Sequence, residues 1–206
     1  MQDRGRKIGR RPVVAGLLGS VAALGIAGSI PSFTTATSVK TRPVARRAPQ
    51  WDIAEWLNGD GGNVDALRGK VIVIDFFQLW CPGCIAFSIP LMNQWEKKDF
   101  ADEVAAGRLA FISIHTVFEG HGFQTPKRLR SFIRRKKIVH PVGIDRHRDG
   151  NHVPETMRRY GTRGTPEMAI IDKAGMIRFQ EFGHFDPDVG KAWIRRLLNE
   201  NAVVPS

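Results

Sequence analysis

The chain contains two cysteines, and only two residues separate them, in Trp80-Cys81-Pro82-Gly83-Cys84. A structural disulfide framework needs cysteines spread along the chain, so this pair is either redox-active or part of a metal site. Its setting narrows the chemistry. Residues 71–77 (VIVIDFF) form a continuous apolar run broken by one Asp, the pattern of a strand buried on both faces. A helical stretch follows from Cys81 to about Phe100. Two cysteines at a strand–helix junction can close a small disulfide ring. The first sulfur then sits at a helix N-terminus, where unpaired backbone N–H groups and the positive dipole end stabilise a thiolate. Cys81 is therefore the expected attacking thiolate, and Cys84, one turn inside, the more buried resolving thiol.

The remaining pattern predicts an α/β fold. Residues 51–58 read as a short amphipathic lead-in and 58–63 as a loop. Residues 109–114 are a second buried strand, 126–137 a helix with Pro126 in its first turn, 139–144 a short extended piece and 154–160 a short helix. Residues 167–171 and 176–182 are strands joined by the turn Asp172-Lys173-Ala174-Gly175. Residues 186–199 close the chain as an amphipathic helix capped by Asp186, with Trp193, Ile194, Leu197 and Leu198 facing inward. Strands alternating with helices, then a hairpin and a terminal helix, imply a central mixed β-sheet flanked by helices on both faces. One domain of this kind plus a leader accounts for 206 residues.

The net charge of +11 invites a nucleic-acid reading, and its distribution argues against one. Of 31 Lys/Arg and 20 Asp/Glu, residues 1–48 take nine and one, which leaves 22 and 19 for the body. The basic run at 127–137 is interrupted by Leu129, Phe132 and Ile133, which share one helix face and leave the charges toward solvent. Residues 1–12 are basic, 13–30 apolar or small and uncharged, and small and polar residues follow to position 36. That is the order of an export signal. The apolar run is short for a membrane span and diluted by glycines, which favours a cleaved signal over an N-terminal anchor. Arg10-Arg11-Pro12-Val13-Val14 resembles a twin-arginine export motif without its usual Phe. Residues 37–49 are a polar linker stiffened by Pro43 and Pro49, and 50–206 the folded domain.

Val73-Ile74-Asp75-Phe76-Phe77-Gln78-Leu79-Trp80-Cys81-Pro82-Gly83-Cys84 resembles the active-site strand and redox motif of the thioredoxin superfamily. With Ile114-His115-Thr116-Val117-Phe118-Glu119 and Gly164-Thr165-Pro166, residues 49–200 resemble the bacterial TlpA/redoxin group of thioredoxin-like reductases. The combination is specific, whereas either motif alone is weak. The resemblance implies a thioredoxin-like fold and a thiol–disulfide oxidoreductase acting on protein disulfides. It makes Asp75 the buried acid that accepts a proton from the second thiol. A lone carboxylate among Ile74, Phe76 and Phe77 is desolvated and its pKa raised, which suits proton transfer near neutral pH. The plain alternative is a strand-end Asp bonded to backbone. The resemblance also makes Pro166 a cis-proline facing the disulfide, leaving the Thr165 backbone free to pair with a substrate strand. Trp80, Pro82, Gly83, Thr165 and Pro166 then form the rim that meets substrate.

Some residues depart from the family pattern. Pro90 stands nine residues after Cys81 where eight is usual, which predicts a shifted kink or a bulge in the helix. Gln78 and Leu79 replace smaller or polar residues. His115 ends a strand whose C-terminus lies near the active site. Glu119 and His121 follow in a loop, either assisting proton transfer, lining the substrate groove, or idle. Arg146, His147 and His152 are expected in an exposed loop, and His140 and His184 as structural or surface residues.

Other functions compete. A thiol peroxidase of this fold needs Pro and Thr seven and three residues before its cysteine, and those positions hold Ile74 and Gln78. A copper or zinc carrier would use Cys81, Cys84 and a His; carriers of similar fold space their cysteines by three residues. An interaction-only domain would not need both cysteines and Asp75. The resulting expectation is an exported, periplasmic or envelope, monomeric disulfide reductase. It needs no organic cofactor or metal, binds no nucleic acid and draws electrons from a thiol partner, soluble or membrane-bound. Substrate and redox direction stay open.

Overall fold

The computed structural model describes residues 46–201. The basic, apolar leader and most of the linker lie outside the described residues. The apolar run becomes β3 (Val71–Phe77), with all seven residues buried. It lies at the centre of a seven-stranded sheet ordered β1 (Arg46–Arg47), β7 (Met176–Phe182), β6 (Glu167–Ile171), β3, β4 (Leu109–His115), β5 (Val142–Asp145) and β2 (Ile53–Leu57). β3, β4 and β5 run parallel, and the remaining pairs are antiparallel. The sheet is mixed, as the element pattern predicts.

Strand alternation divides the core in two. Val71 and Val73 pack with Trp95, Phe100, Phe179, Ile194 and Leu197 on one face, and Phe77 continues that face against Leu129 and Phe132. Ile72, Ile74 and Phe76 pack with Trp51 and Tyr160 on the other. The first face is covered by the helical segment after Cys84, by α3 (Pro126–Lys136) and by α5 (Pro187–Asn199). α4 (Glu155–Tyr160) brings Tyr160 to the second. In α3, Thr125 caps the N-terminus by accepting from the Arg128 N–H, and Leu129, Phe132 and Ile133 are the buried face. Asp186 caps α5 by accepting from the Asp188 N–H.

The helix after Cys84 is not regular. Wide π-type turns at Cys84–Ser88 and Trp95–Asp99 flank α1 (Ile89–Gln94), and α2 (Ala101–Ala105) follows. Pro90 has no N–H to close the usual ladder, and the Ile89 N–H reaches back to the Cys84 carbonyl. The bulge expected from the displaced proline is present.

Two edges differ from the sequence reading. Residues 51–58 yield β2, paired antiparallel with β5. Arg146, expected in an exposed loop, is half-buried and closes this edge: it donates to Asp52 Oδ1 at 2.9 Å and to the Ile53 carbonyl at 2.7 Å. On the other edge Arg46 and Arg47, read as linker, pair with β7. Both edge strands are short, and their partners are remote in sequence, so local pattern cannot reveal them. Among the described residues no helix is long and apolar enough to cross a membrane.

Candidate active site

β3 delivers the chain directly to Gln78, Leu79 and Trp80, and the helical segment begins at Pro82, immediately after Cys81. Cys81 and Cys84 are joined as a disulfide with their Cα atoms 5.2 Å apart. The Cys84 N–H donates to Cys81 Sγ at 3.1 Å, and the Ile85 N–H to the Cys81 carbonyl at 3.0 Å. A first-turn N–H is thus already aimed at the first sulfur, the arrangement that lowers a thiol pKa. Cys81 retains 8% exposure and Cys84 none.

Asp75 sits on the same face of β3 as Val73 and Phe77, pointing into the helix layer. It is completely buried. Its Oδ2 accepts from Ser88 Oγ at 3.1 Å, and its Oδ1 has no partner among the described residues. Burial pushes this carboxyl up to about 7, against the smaller lowering effect of the Ser88 hydrogen bond. Ser88 belongs to the same wide turn as Cys84, so the strand acid is bonded to the turn that carries the second thiol. The strand-end alternative, an Asp satisfied by backbone, does not describe this environment.

Trp80, Cys81, Pro82 and Thr165 line one open groove of about 390 Å³, together with Gln78, Phe118, Glu119, Gly164 and Phe182. The Thr165–Pro166 peptide bond is cis. Pro166 lies against Gly83: a methyl group added at Gly83 would meet Pro166 Cδ at 2.9 Å. Asp75 and Cys84 are fully buried and do not line the groove. Trp80 is 42% exposed at the rim. Glu119 belongs to the groove, but His115 and His121 line a separate small cleft with Gln124, Asp145 and His147. His184 proves to be a neighbour of the site. Its ring packs 4.4 Å from Phe87, and its Cε1 lies 3.7 Å from where a Gly83 side chain would begin. His140 is structural, bonded to Ser113 Oγ at 2.8 Å and Glu96 Oε2 at 2.7 Å.

Behind Trp80 runs a polar network that residue types alone did not reveal. The Trp80 indole N–H donates to Gln78 Oε1 at 2.6 Å, and Gln124 Nε2 donates to the same oxygen at 2.7 Å. Gln124 Oε1 accepts the Leu79 N–H at 2.9 Å, while its Nε2 also donates to the Glu119 carbonyl at 3.0 Å. These partners fix the Gln124 amide orientation. His115 Nε2, 3.1 Å from Gln124 Oε1, must then carry the proton. Burial holds the His115 pKa down at about 4, so the ring is a neutral donor. Gln124 stands 46 residues from Gln78, and no spacing signal links them. Among the described residues no group of three or more His, Cys, Asp or Glu side chains is arranged to hold a metal ion.

A strand–Cys-x-x-Cys–helix unit, a proline packed on its turn and a buried acid bonded to Ser88 of the following turn define a thiol–disulfide oxidoreductase of thioredoxin-like fold. The chain belongs to the thioredoxin-like superfamily. It is 39% identical to a thioredoxin-like superfamily protein of known structure, with a TM-score of 0.70, over 76% of this chain and 98% of that one. It is 35% identical to a thiol–disulfide isomerase from Corynebacterium glutamicum, with a TM-score of 0.68, over 75% and 98% of the two chains. Protein DipZ of Mycobacterium bovis is 31% identical over 156 residues, which are 72% of this chain and 20% of DipZ. The chain therefore spans about a fifth of the length of the curated relatives it matches. No family model matches it.

Proposed function

We propose that the protein reduces disulfides in exported protein substrates, with Cys81 as nucleophile and Cys84 as resolving thiol. The observation that carries this reading is the asymmetry of the pair: Cys81 opens onto the groove and receives the Cys84 N–H, while Cys84 is sealed beneath. In the reduced protein the Cys81 thiolate attacks a substrate sulfur. The substrate's other sulfur leaves as a thiolate, and a Cys81–substrate mixed disulfide forms. Cys84 then gives its proton toward Asp75 and attacks Cys81 Sγ, which releases the second substrate thiol and regenerates the internal disulfide. Trp80, Pro82, Gly83 and Thr165 hold the substrate segment, and Pro166 braces the turn. An upstream dithiol returns two electrons. Residues 1–36 supply the export signal or an anchor, which places the reaction in the periplasm or cell envelope. No metal or organic cofactor takes part.

A thiol titration of the protein in graded dithiol buffers tests the reading. Both cysteines should oxidise together on a two-electron curve with a midpoint near about −270 mV, the range of a reductant. A midpoint near about −120 mV would reverse the direction, and the absence of an intramolecular disulfide would reject the mechanism. Cys84→Ser should accumulate a mixed disulfide with substrate, whereas Cys81→Ser should not react.

A further inference from the structure

The exposed rim has a second groove beside the first. Trp80 stacks on Phe123 with ring centroids 6.1 Å apart. On the far side of this ridge lies a cleft of about 470 Å³ lined by Leu79, Phe123, Phe132, Lys127, Arg128 and Arg135, with Thr125 and Ser131 between them. Leu79, Phe123 and Phe132 supply its apolar lining, and its charged lining is entirely cationic. The Arg128 guanidinium lies 4.2 Å over the Phe123 ring. Arg130 on the same helix is paired with Glu55. Lys127, Arg128 and Arg135 are exposed and enter no ion pair among the described residues.

Resting on the function proposed above, we propose that this cleft is a docking site for an acidic segment of the protein substrate, flanking the cysteine that Cys81 attacks. Three observations carry it. Leu79 lines the cleft two residues before Cys81, and Trp80 between them lines the groove that holds the reacting sulfur, so one short stretch of chain borders both. The Trp80–Phe123 ridge gives an extended chain an aromatic surface to cross. The three cations enter no ion pair among the described residues, so an acidic partner meets them without breaking one. Such a field raises the encounter rate of an acidic segment and is screened by salt. A concave cleft with aromatic and cationic lining suits a peptide better than a flat lipid surface.

The test uses the full chain, pre-reduced, and two peptides whose single cysteine is activated as a mixed disulfide with 2-thiopyridine. One peptide carries Asp and Glu beside the cysteine, the other Asn and Gln. The Cys81 thiolate displaces thiopyridone, whose absorbance is followed, and Cys84 then releases the peptide thiol. At low ionic strength the acidic peptide should react about tenfold faster, and the difference should vanish near about 0.5 M salt. In the Lys127→Gln, Arg128→Gln, Arg135→Gln triple variant the two peptides should react alike. Equal rates in the wild type, or a difference that survives in the triple variant, would overturn the docking site and leave the Cys81 reading intact. Rates no faster than those of Cys81→Ser would bring both down. Binding to phosphatidylglycerol vesicles that depends on the three cations, with peptide rates that do not, would make the cleft a membrane contact and reject the proposal.

Discussion

Asp75 shows how a single residue couples stability to chemistry. An ionised carboxylate that is fully buried with one hydroxyl partner is costly, so the site holds its pKa at about 7. At that value the group is poised both to accept a proton from Cys84 and to release it afterwards. The resolving step should accelerate as pH rises through about 7 and level off above it, because only the carboxylate accepts. Asp75→Asn should slow resolution about 10²-fold at neutral pH. Acid-quench trapping would then show the mixed disulfide accumulating, with the pH dependence around 7 lost. An unchanged profile would remove Asp75 from the mechanism. The acid's location was legible in its position six residues before Cys81. Its partner Ser88 was not, because the pairing depends on how the wide turn after Cys84 is seated on β3.

At the scale of elements, the most informative contact is between α5 and the helical segment after Cys84. Gly190 lies in the interior of α5, where alanine would ordinarily stabilise by about 1 kcal/mol. Here an added methyl group would meet the Trp95 ring at 2.5 Å and Phe185 at 3.0 Å. Trp95 is fully buried and has no room to yield. Gly190→Ala should therefore destabilise by about 1–3 kcal/mol, measured as a lower urea midpoint with an unchanged slope. A neutral or stabilised variant would show that this helix pair can slide. β3, β6, β7, α3 and α5 were legible because each carries its own periodicity or turn chemistry. β1 and β2 were not, because two residues hold no pattern, residues 51–58 read as an amphipathic lead-in, and the pairing of both strands is decided by β7 and β5. The bulge at Cys84–Ser88 was legible through Pro90 alone.

For the molecule as a whole, two buried groups titrate in opposition. Asp75 has its pKa raised by folding, from 3.8 to about 7. The folded state holds this proton where the unfolded state does not, so Asp75 lowers stability as pH rises from about 4 to about 7. His115 has its pKa lowered, from 6.5 to about 4. The unfolded state binds this proton first, so His115 raises stability as pH rises from about 4 to about 6.5. Over the shared window the two contributions have opposite sign and offset one another. Relative to wild type, Asp75→Asn should gain stability with rising pH across this window, and His115→Asn should lose it. Denaturant unfolding at pH 4.5 and 6.5 measures both slopes, and parallel curves for the two variants would contradict the assignment.

What the sequence determined by itself was the chemistry-bearing unit and the elements around it. A two-cysteine motif after an apolar run, a Thr-Pro before a later strand and well-spaced apolar residues are local signals, and each reports a local physical requirement. The tertiary structure decided which distant side chains share a space. It joined Gln124 to both Gln78 and His115, stacked Trp80 on Phe123, set His184 beside Gly83 and brought Leu79 against the cationic face of α3 to form one cleft. Hydrogen-bond partners and groove walls follow from strand register and helix seating, which are settled by packing between segments far apart in the chain, and a local pattern holds no record of them.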